Sequence, residues 1–242
     1  MTHTDLTDAL ERIVLGAARR IVLSEGDRRR TAYHESGHAL LGMLQTGADP
    51  VRKVSIIPRG RALGVTFQSP ESDRYGYSES YLRGRIAGLL GGHAAEQVIY
   101  GETTTGAESD LEQATALARQ MVGRWGMSDE VGFVSVLPGL GEQGFVLPGS
   151  QGAASPHTLE RIDDEVRRLT DEGHTQAIKT LTDHRPQLDA LAGALLKHET
   201  LDEGEAYAAA GIPAPVAASI SRAPGASQPD HTRGAPAPAA LV

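Results

Sequence analysis

The sequence predicts a mainly α (α+β) domain, a packed set of helices with one small β-hairpin or sheet. Three observations carry this. Apolar residues recur at helical spacing in several long stretches, whereas only two short stretches are rich in β-formers. Aromatic residues make up 4% of the 242-residue chain against 40% hydrophobic overall, so the core must be mostly Ala, Leu, Val and Ile, which suits close-packed helices. Residues past 210 are Pro, Ala, Gly and Ser, with little to bury.

Taken in order, Leu6, Ala9, Leu10, Ile13 and Val14 give a helix over residues 5–20. Ser24, with Asp27 three residues on, is an N-cap for the next helix, which should run to about Leu44 before Gly47 and Pro50 stop it. Arg28-Arg29-Arg30 in its first half reads as a solvated face rather than a nucleic-acid contact. Residues 51–57 and 62–67 are strands joined by a turn at Pro58-Arg59-Gly60-Arg61. One helix then follows Tyr77-Ser78-Glu79, with Ile86, Leu89, Leu90, Ala94 and Val98 as its apolar set and Gly91-Gly92 inside it. Paired glycines cost helix stability, and close approach of another backbone is the simplest reason for them. A Thr/Gly-rich loop over residues 101–108 leads to a helix over 109–122. Residues 125–152 read as irregular, and helices follow over 158–182 and 186–197. The expected organisation is one domain over residues 1–210 and a disordered Pro/Ala/Gly-rich tail over 211–242.

The formal charge of −8 argues against a nucleic-acid partner. The absence of cysteine excludes disulfides, thiolate metal sites and a Cys nucleophile. No apolar run approaches the ~18 residues that span a bilayer, and Met1-Thr2-His3-Thr4-Asp5 lacks the regions of a signal peptide. The expectation is a soluble, cytoplasmic chain.

The stretch Tyr33-His34-Glu35-Ser36-Gly37-His38-Ala39 reads H-E-x-x-H on a predicted helix. Residues four apart share a helix face, so His34 and His38 can present two imidazoles to one metal ion, with Glu35 leaning toward its open side. This is the construction of a zinc peptidase: two His ligands and a carboxylate that takes the proton from zinc-bound water. A catalytic zinc needs a third protein ligand, and Leu44 stands where the extended form of the motif has His. Spacing leaves His93, Glu96 and Asp110 open; Asp110 alternatively reads as a first-turn acid favoured by the helix dipole.

Further residues carry a resemblance. Arg29-Arg30-Thr31-Ala32 runs into the motif. Val54-Ser55-Ile56-Ile57-Pro58-Arg59-Gly60 is followed by Ala62-Leu63-Gly64-Val65-Thr66. Then come Asp73-Arg74-Tyr75, Leu89-Leu90-Gly91-Gly92-His93-Ala94-Ala95-Glu96, Thr104-Thr105-Gly106-Ala107, Asp110-Leu111, Gly126-Met127-Ser128, Ile162-Asp163-Asp164-Glu165-Val166 and Glu199-Thr200-Leu201-Asp202. Over about residues 5–210 the chain resembles the peptidase domain of the FtsH family of membrane-anchored, ATP-dependent zinc proteases. The resemblance implies Asp110 as third zinc ligand beside His34 and His38, Glu35 as catalytic base, Zn²⁺ as cofactor and a hexameric ring. Departures are mild: Ser36 replaces a common Ala, His93 a usual Arg and Ser109 a usual Asn. The AAA ATPase module that the family couples to this domain has no counterpart here, since the chain lacks G-x-x-x-x-G-K-[ST].

The expected function is therefore zinc-dependent endopeptidase action on unfolded or damaged polypeptides, ATP-independent for the chain alone, with an ATPase module possible in trans. In a larger assembly of the family's kind the site would lie at the cytosolic face of a membrane. Substrate is expected to add as a strand beside residues 63–67, with Gly64 admitting another backbone. The alternative is a catalytically silent oligomeric adaptor of the same fold; intact His34, Glu35, His38 and Asp110 argue against it.

Overall fold

A computed structural model of the chain describes residues 23–45, 48–59, 62–70, 75–137 and 154–215. The helix expected over residues 5–20 and the tail from residue 216 onward lie outside the described residues.

Ser24 Oγ accepts from the Asp27 N–H at 3.1 Å and opens α1 (Glu25–Leu44) where the sequence placed it. Two strands follow, β1 (Val51–Ser55) and β2 (Val65–Gln68), then α2 (Glu79–Leu89), α3 (Gly91–Tyr100), a 3₁₀ turn (Thr105–Ala107) and α4 (Glu108–Gly123). The long α5 (Pro156–Asp183), α6 (Arg185–His198), β3 (Thr200–Asp202) and α7 (Glu203–Ala210) complete the chain. The strands form an antiparallel sheet of order β2-β1-β3, with Val54 opposite both Thr66 and Leu201. β2 is thus an edge strand among the described residues. β3 and α7 were not legible in the sequence. Three residues are too few to show alternation, and the alanines of α7 form no apolar stripe.

Two apolar clusters hold the elements together. The first gathers Leu40 and Leu41 of α1, Val51 and Val54 of β1, and Leu188, Leu191 and Leu195 of α6. The second gathers Leu82 and Ile86 of α2, Met121 and Val122 of α4, and Ile162 and Leu169 of α5. α5 has 28 residues, about 42 Å of helix, and bridges the two: its N-terminal half lies in the second cluster, while Ala177 and Leu181 lie in the first. Ile162, Val166, Leu169 and Leu181 are buried in these cores, and the partly buried Ile178 packs against the first. Among the described residues no helix is long and apolar enough to cross a membrane.

The expected single helix around Gly91-Gly92 is two helices, α2 and α3, parted at Leu90 (φ −84°, ψ 2°). Of the two glycines, Gly91 serves the purpose read from the pair. A Cβ added at Gly37 would lie 2.3 Å from the Gly91 carbonyl oxygen, and one at Gly91 would lie 2.9 Å from that of Gly37. Here α1 and α3 cross backbone to backbone, a distance only glycine permits. The bend at Leu90 delivers the first turn of α3 to that crossing.

Gly37→Ala should lower stability by about 1–3 kcal/mol through overpacking. Gly193→Ala, at an open helical position where a Cβ meets nothing within 4 Å, should raise it by about 0.5–1 kcal/mol. Urea midpoints check the pair; a Gly37→Ala midpoint at or above wild type contradicts the crossing.

Candidate metal centre

Helix α1 presents His34 and His38 on one face, one turn apart, with their Nε2 atoms 3.2 Å from each other. Asp110 comes from the first turn of α4, and its Oδ2 lies 3.1 Å from His34 Nε2 and 3.2 Å from His38 Nε2. These three residues form the one cluster of potential metal ligands found among the described residues. Tetrahedral zinc with bonds of about 2.0–2.1 Å sets its ligand atoms about 3.3 Å apart, so the triangle has the right size. Two imidazoles and one carboxylate are also the donor chemistry of a catalytic zinc.

The other ring nitrogens are engaged. His34 Nδ1 lies 3.0 Å from Glu96 Oε1, and His38 Nδ1 lies 2.9 Å from the Gly88 carbonyl. Each acceptor keeps the proton on Nδ1 and leaves Nε2 as the nitrogen that could take a metal. Gly88 sits in the last turn of α2, where carbonyls lack intrahelical partners, so the bend at Leu90 supplies this acceptor. Gly92 completes the fit, since a Cβ there would lie 2.3 Å from His34 Nε2.

The open alternatives for a third ligand fall elsewhere. Glu96 stands behind His34, 2% exposed, and accepts from Arg30 Nη1 at 3.1 Å and the Thr104 N–H at 3.0 Å. His93 pairs with His174, Nδ1 to Nε2 at 2.9 Å. The solvated face expected of Arg28-Arg29-Arg30 needs correction. Arg30 binds Glu96 and Glu102 and stacks on the Tyr100 ring, and Arg28 holds the Leu196 carbonyl and Glu199. Three consecutive arginines on a helix necessarily face different ways, and two of these found carboxylates.

Glu35 is 6% exposed, with Thr66 Oγ1 of β2 donating at 2.8 Å from its Oε2. A Cβ at Gly64 would come within 2.6 Å of Glu35 Oε1. Gly64 thus makes room for the Glu35 carboxylate, where the sequence had suggested room for another backbone. Thr66, Thr104 and the Gly88 carbonyl were missed by sequence reasoning. A single hydroxyl or carbonyl carries no pattern that spacing could reveal. The site opens into a cleft of about 1460 Å³ between β2, α2 and α4.

Burial works against charge on His34, but its bonds to Asp110 and Glu96 outweigh this and hold the imidazole up at about 10. Burial likewise pushes the Asp110 carboxyl up, while bonds from His34 and His38 hold it well below the usual carboxylate range. Glu96 follows the same balance and is lowered, chiefly by His34 and Arg30 against burial. For Glu35 burial wins and raises the carboxyl, with His38 and His34 offsetting part of the rise.

A helix-borne H-E-x-x-H beside a carboxylate from a second helix is the metallopeptidase class of site. The chain belongs to peptidase family M41, whose family model matches residues 21–208. It is 57% identical over 212 residues to ATP-dependent zinc metalloprotease FtsH 3 of Conexibacter woesei, covering 88% of this chain and 28% of that one. Against ATP-dependent zinc metalloprotease FtsH of Thermobaculum terrenum it is 56% identical over 201 residues, 82% of this chain and 31% of the relative. The namesake from Syntrophus aciditrophicus is 53% identical over 213 residues, 86% and 29% of the two chains. The chain spans about three-tenths of the length of these curated relatives.

The pH dependence of the metal-free protein checks the electrostatics. An imidazole held up at about 10, from 6.5 when unfolded, contributes stability that is full below about pH 6.5 and lost as pH rises through about 10. Asp110, lowered from 3.8, contributes above that value and loses it on further acidification. Chelator-treated protein should therefore unfold at progressively lower urea between pH 7 and 10, and His34→Ala should flatten that slope. Equal slopes in the two proteins would contradict the pairing.

Proposed function

We propose that this domain is a zinc-dependent endopeptidase cleaving unfolded or damaged polypeptides, with His34, His38 and Asp110 as zinc ligands and Glu35 as general base. The observation that carries the reading is the triangle of donors at 3.1–3.2 Å beside a buried carboxylate. The relatives' names as zinc metalloproteases support the metal.

Zinc held by these residues would supply Lewis acidity, acidifying water and polarising a scissile carbonyl. The chain's own groups do the rest. Thr66 holds the Glu35 carboxylate at 2.8 Å, and burial raises its proton affinity, so it can accept a proton from water and return it to the leaving amine. Glu96 and the Gly88 carbonyl fix both imidazoles with Nε2 toward the ligand position. Asp110 adds a negative charge that helps retain a divalent cation. Among the described residues β2 has a free edge beside Glu35, which offers backbone groups to an extended substrate.

The relatives' names also say ATP-dependent. An ATPase module in cis or trans, a hexameric ring and a cytoplasmic location belong to the proposal for the longer assembly. A catalytically silent adaptor has no use for a buried, hydrogen-bonded Glu35, which favours the enzyme.

Zinc-reconstituted protein should hold about one zinc per chain and digest casein without ATP. Glu35→Gln should keep the zinc and lose about 10²–10⁴-fold in rate, whereas His38→Ala should lose the metal. Elemental analysis with fluorescent-casein digestion reads both. Undiminished turnover in Glu35→Gln, or no zinc in wild type, overturns the mechanism.

A further inference from the structure

The cleft extends beyond Glu35 along β2. Thr66 and Gln68 share one face of that strand: Thr66 reaches Glu35, and Gln68 reaches α1 two turns further on, where a Cβ at Gly42 would come within 2.1 Å of Gln68 Nε2. Gln68 Oε1 accepts from Arg85 Nη1 at 3.1 Å, and Arg85 stands on α2, the opposite wall. Three described cations line the cleft: Arg30, Arg83 and Arg85. Arg30 is committed to Glu96 and Glu102, and Arg83 to Glu79 and Glu172. Arg85 has no carboxylate partner among the described residues. Its guanidinium, half-buried, carries five N–H donors in a fork shaped for a carboxylate, and the one hydrogen bond found for it is that to Gln68.

We propose that Arg85 determines specificity by binding an Asp or Glu side chain of the polypeptide laid along β2, two residues from the one cleaved beside Glu35. The proposal rests on the peptidase reading. Its spacing follows from strand geometry. A substrate residue opposite Thr66 has its carbonyl near Glu35, and the next residue on the same face, about 6.6–6.8 Å along, lies opposite Gln68 and Arg85. The cleft's charge agrees: Glu108 and Glu112 on α4 also line it and are exposed, so within the cleft an acidic side chain is favoured beside Arg85 and disfavoured beside them. A charge-assisted contact of this kind is worth about tenfold in kcat/KM.

The test is a quenched-fluorescent peptide series, with Glu, Gln or Lys placed in turn at each position within three residues of the cleaved bond, assayed on zinc-loaded protein. Wild type should prefer Glu over Gln by about tenfold at a single position two residues from the reacting one, on one side of the bond only, and added salt should weaken the preference. Arg85→Gln should bring that ratio close to one, Arg85→Lys should retain part of it, and Arg85→Glu should turn it toward Lys. A structural tie between α2 and β2 alone would not reverse with charge. Cleavage by wild type without charge preference, or a Glu preference that survives Arg85→Gln, overturns the assignment while leaving the peptidase reading intact. No cleavage of any peptide overturns both.

Discussion

The backbone-to-backbone crossing of α1 and α3 is the contact on which the site depends. Gly37 and Gly91 let the two helices meet without side chains between them. The consequences follow by rigid geometry. Glu96, one turn and a half along α3, comes within 3.0 Å of His34 Nδ1. Gly92 leaves the volume that the His34 ring occupies. The bend that starts α3 leaves the Gly88 carbonyl facing His38. A larger interaxial distance would loosen both imidazoles at once, because both are oriented by groups from α2 and α3 and not by α1 itself.

The three clustered donors also join the two apolar cores. His34 and His38 belong to a helix packed in the first, and Asp110 to a helix packed in the second. α5 is the strut common to both, with Ile162 and Leu169 in one and Leu181 in the other. Buried carboxylates and imidazoles are costly unless paired. Here each has a partner: Asp110 with both histidines, and Glu96 with His34, Arg30 and Thr104. The polar seam between the cores is therefore tolerable only in this arrangement, so the same bonds that orient the imidazoles also fix how the halves meet.

Most of the helical scaffold was legible because it is written in local patterns. Ser24 with Asp27 gave the start of α1, and apolar spacing gave α5 and α6 within about three residues. The pair His34 and His38 was legible for the same reason, as two residues four apart on one helix. Asp110 lies 72 residues after His38, and spacing alone left Glu96 and His93 beside it; the difference is a matter of tertiary geometry, in which Glu96 faces Nδ1 and Asp110 faces Nε2. The bend at Leu90 escaped because the apolar pattern continues through it. Arg30 was misread because a run of like charge says nothing about which carboxylates the fold will bring to it.

The most direct test of the central claim is a crystal structure of the zinc-loaded chain with anomalous diffraction at the zinc edge. The account expects one strong peak within about 2.0–2.2 Å of His34 Nε2, His38 Nε2 and the Asp110 carboxylate, with Glu35 and Glu96 outside bonding distance. A peak bonded to Glu96 or Glu35 in place of Asp110, or to Nδ1 of either histidine, would contradict it.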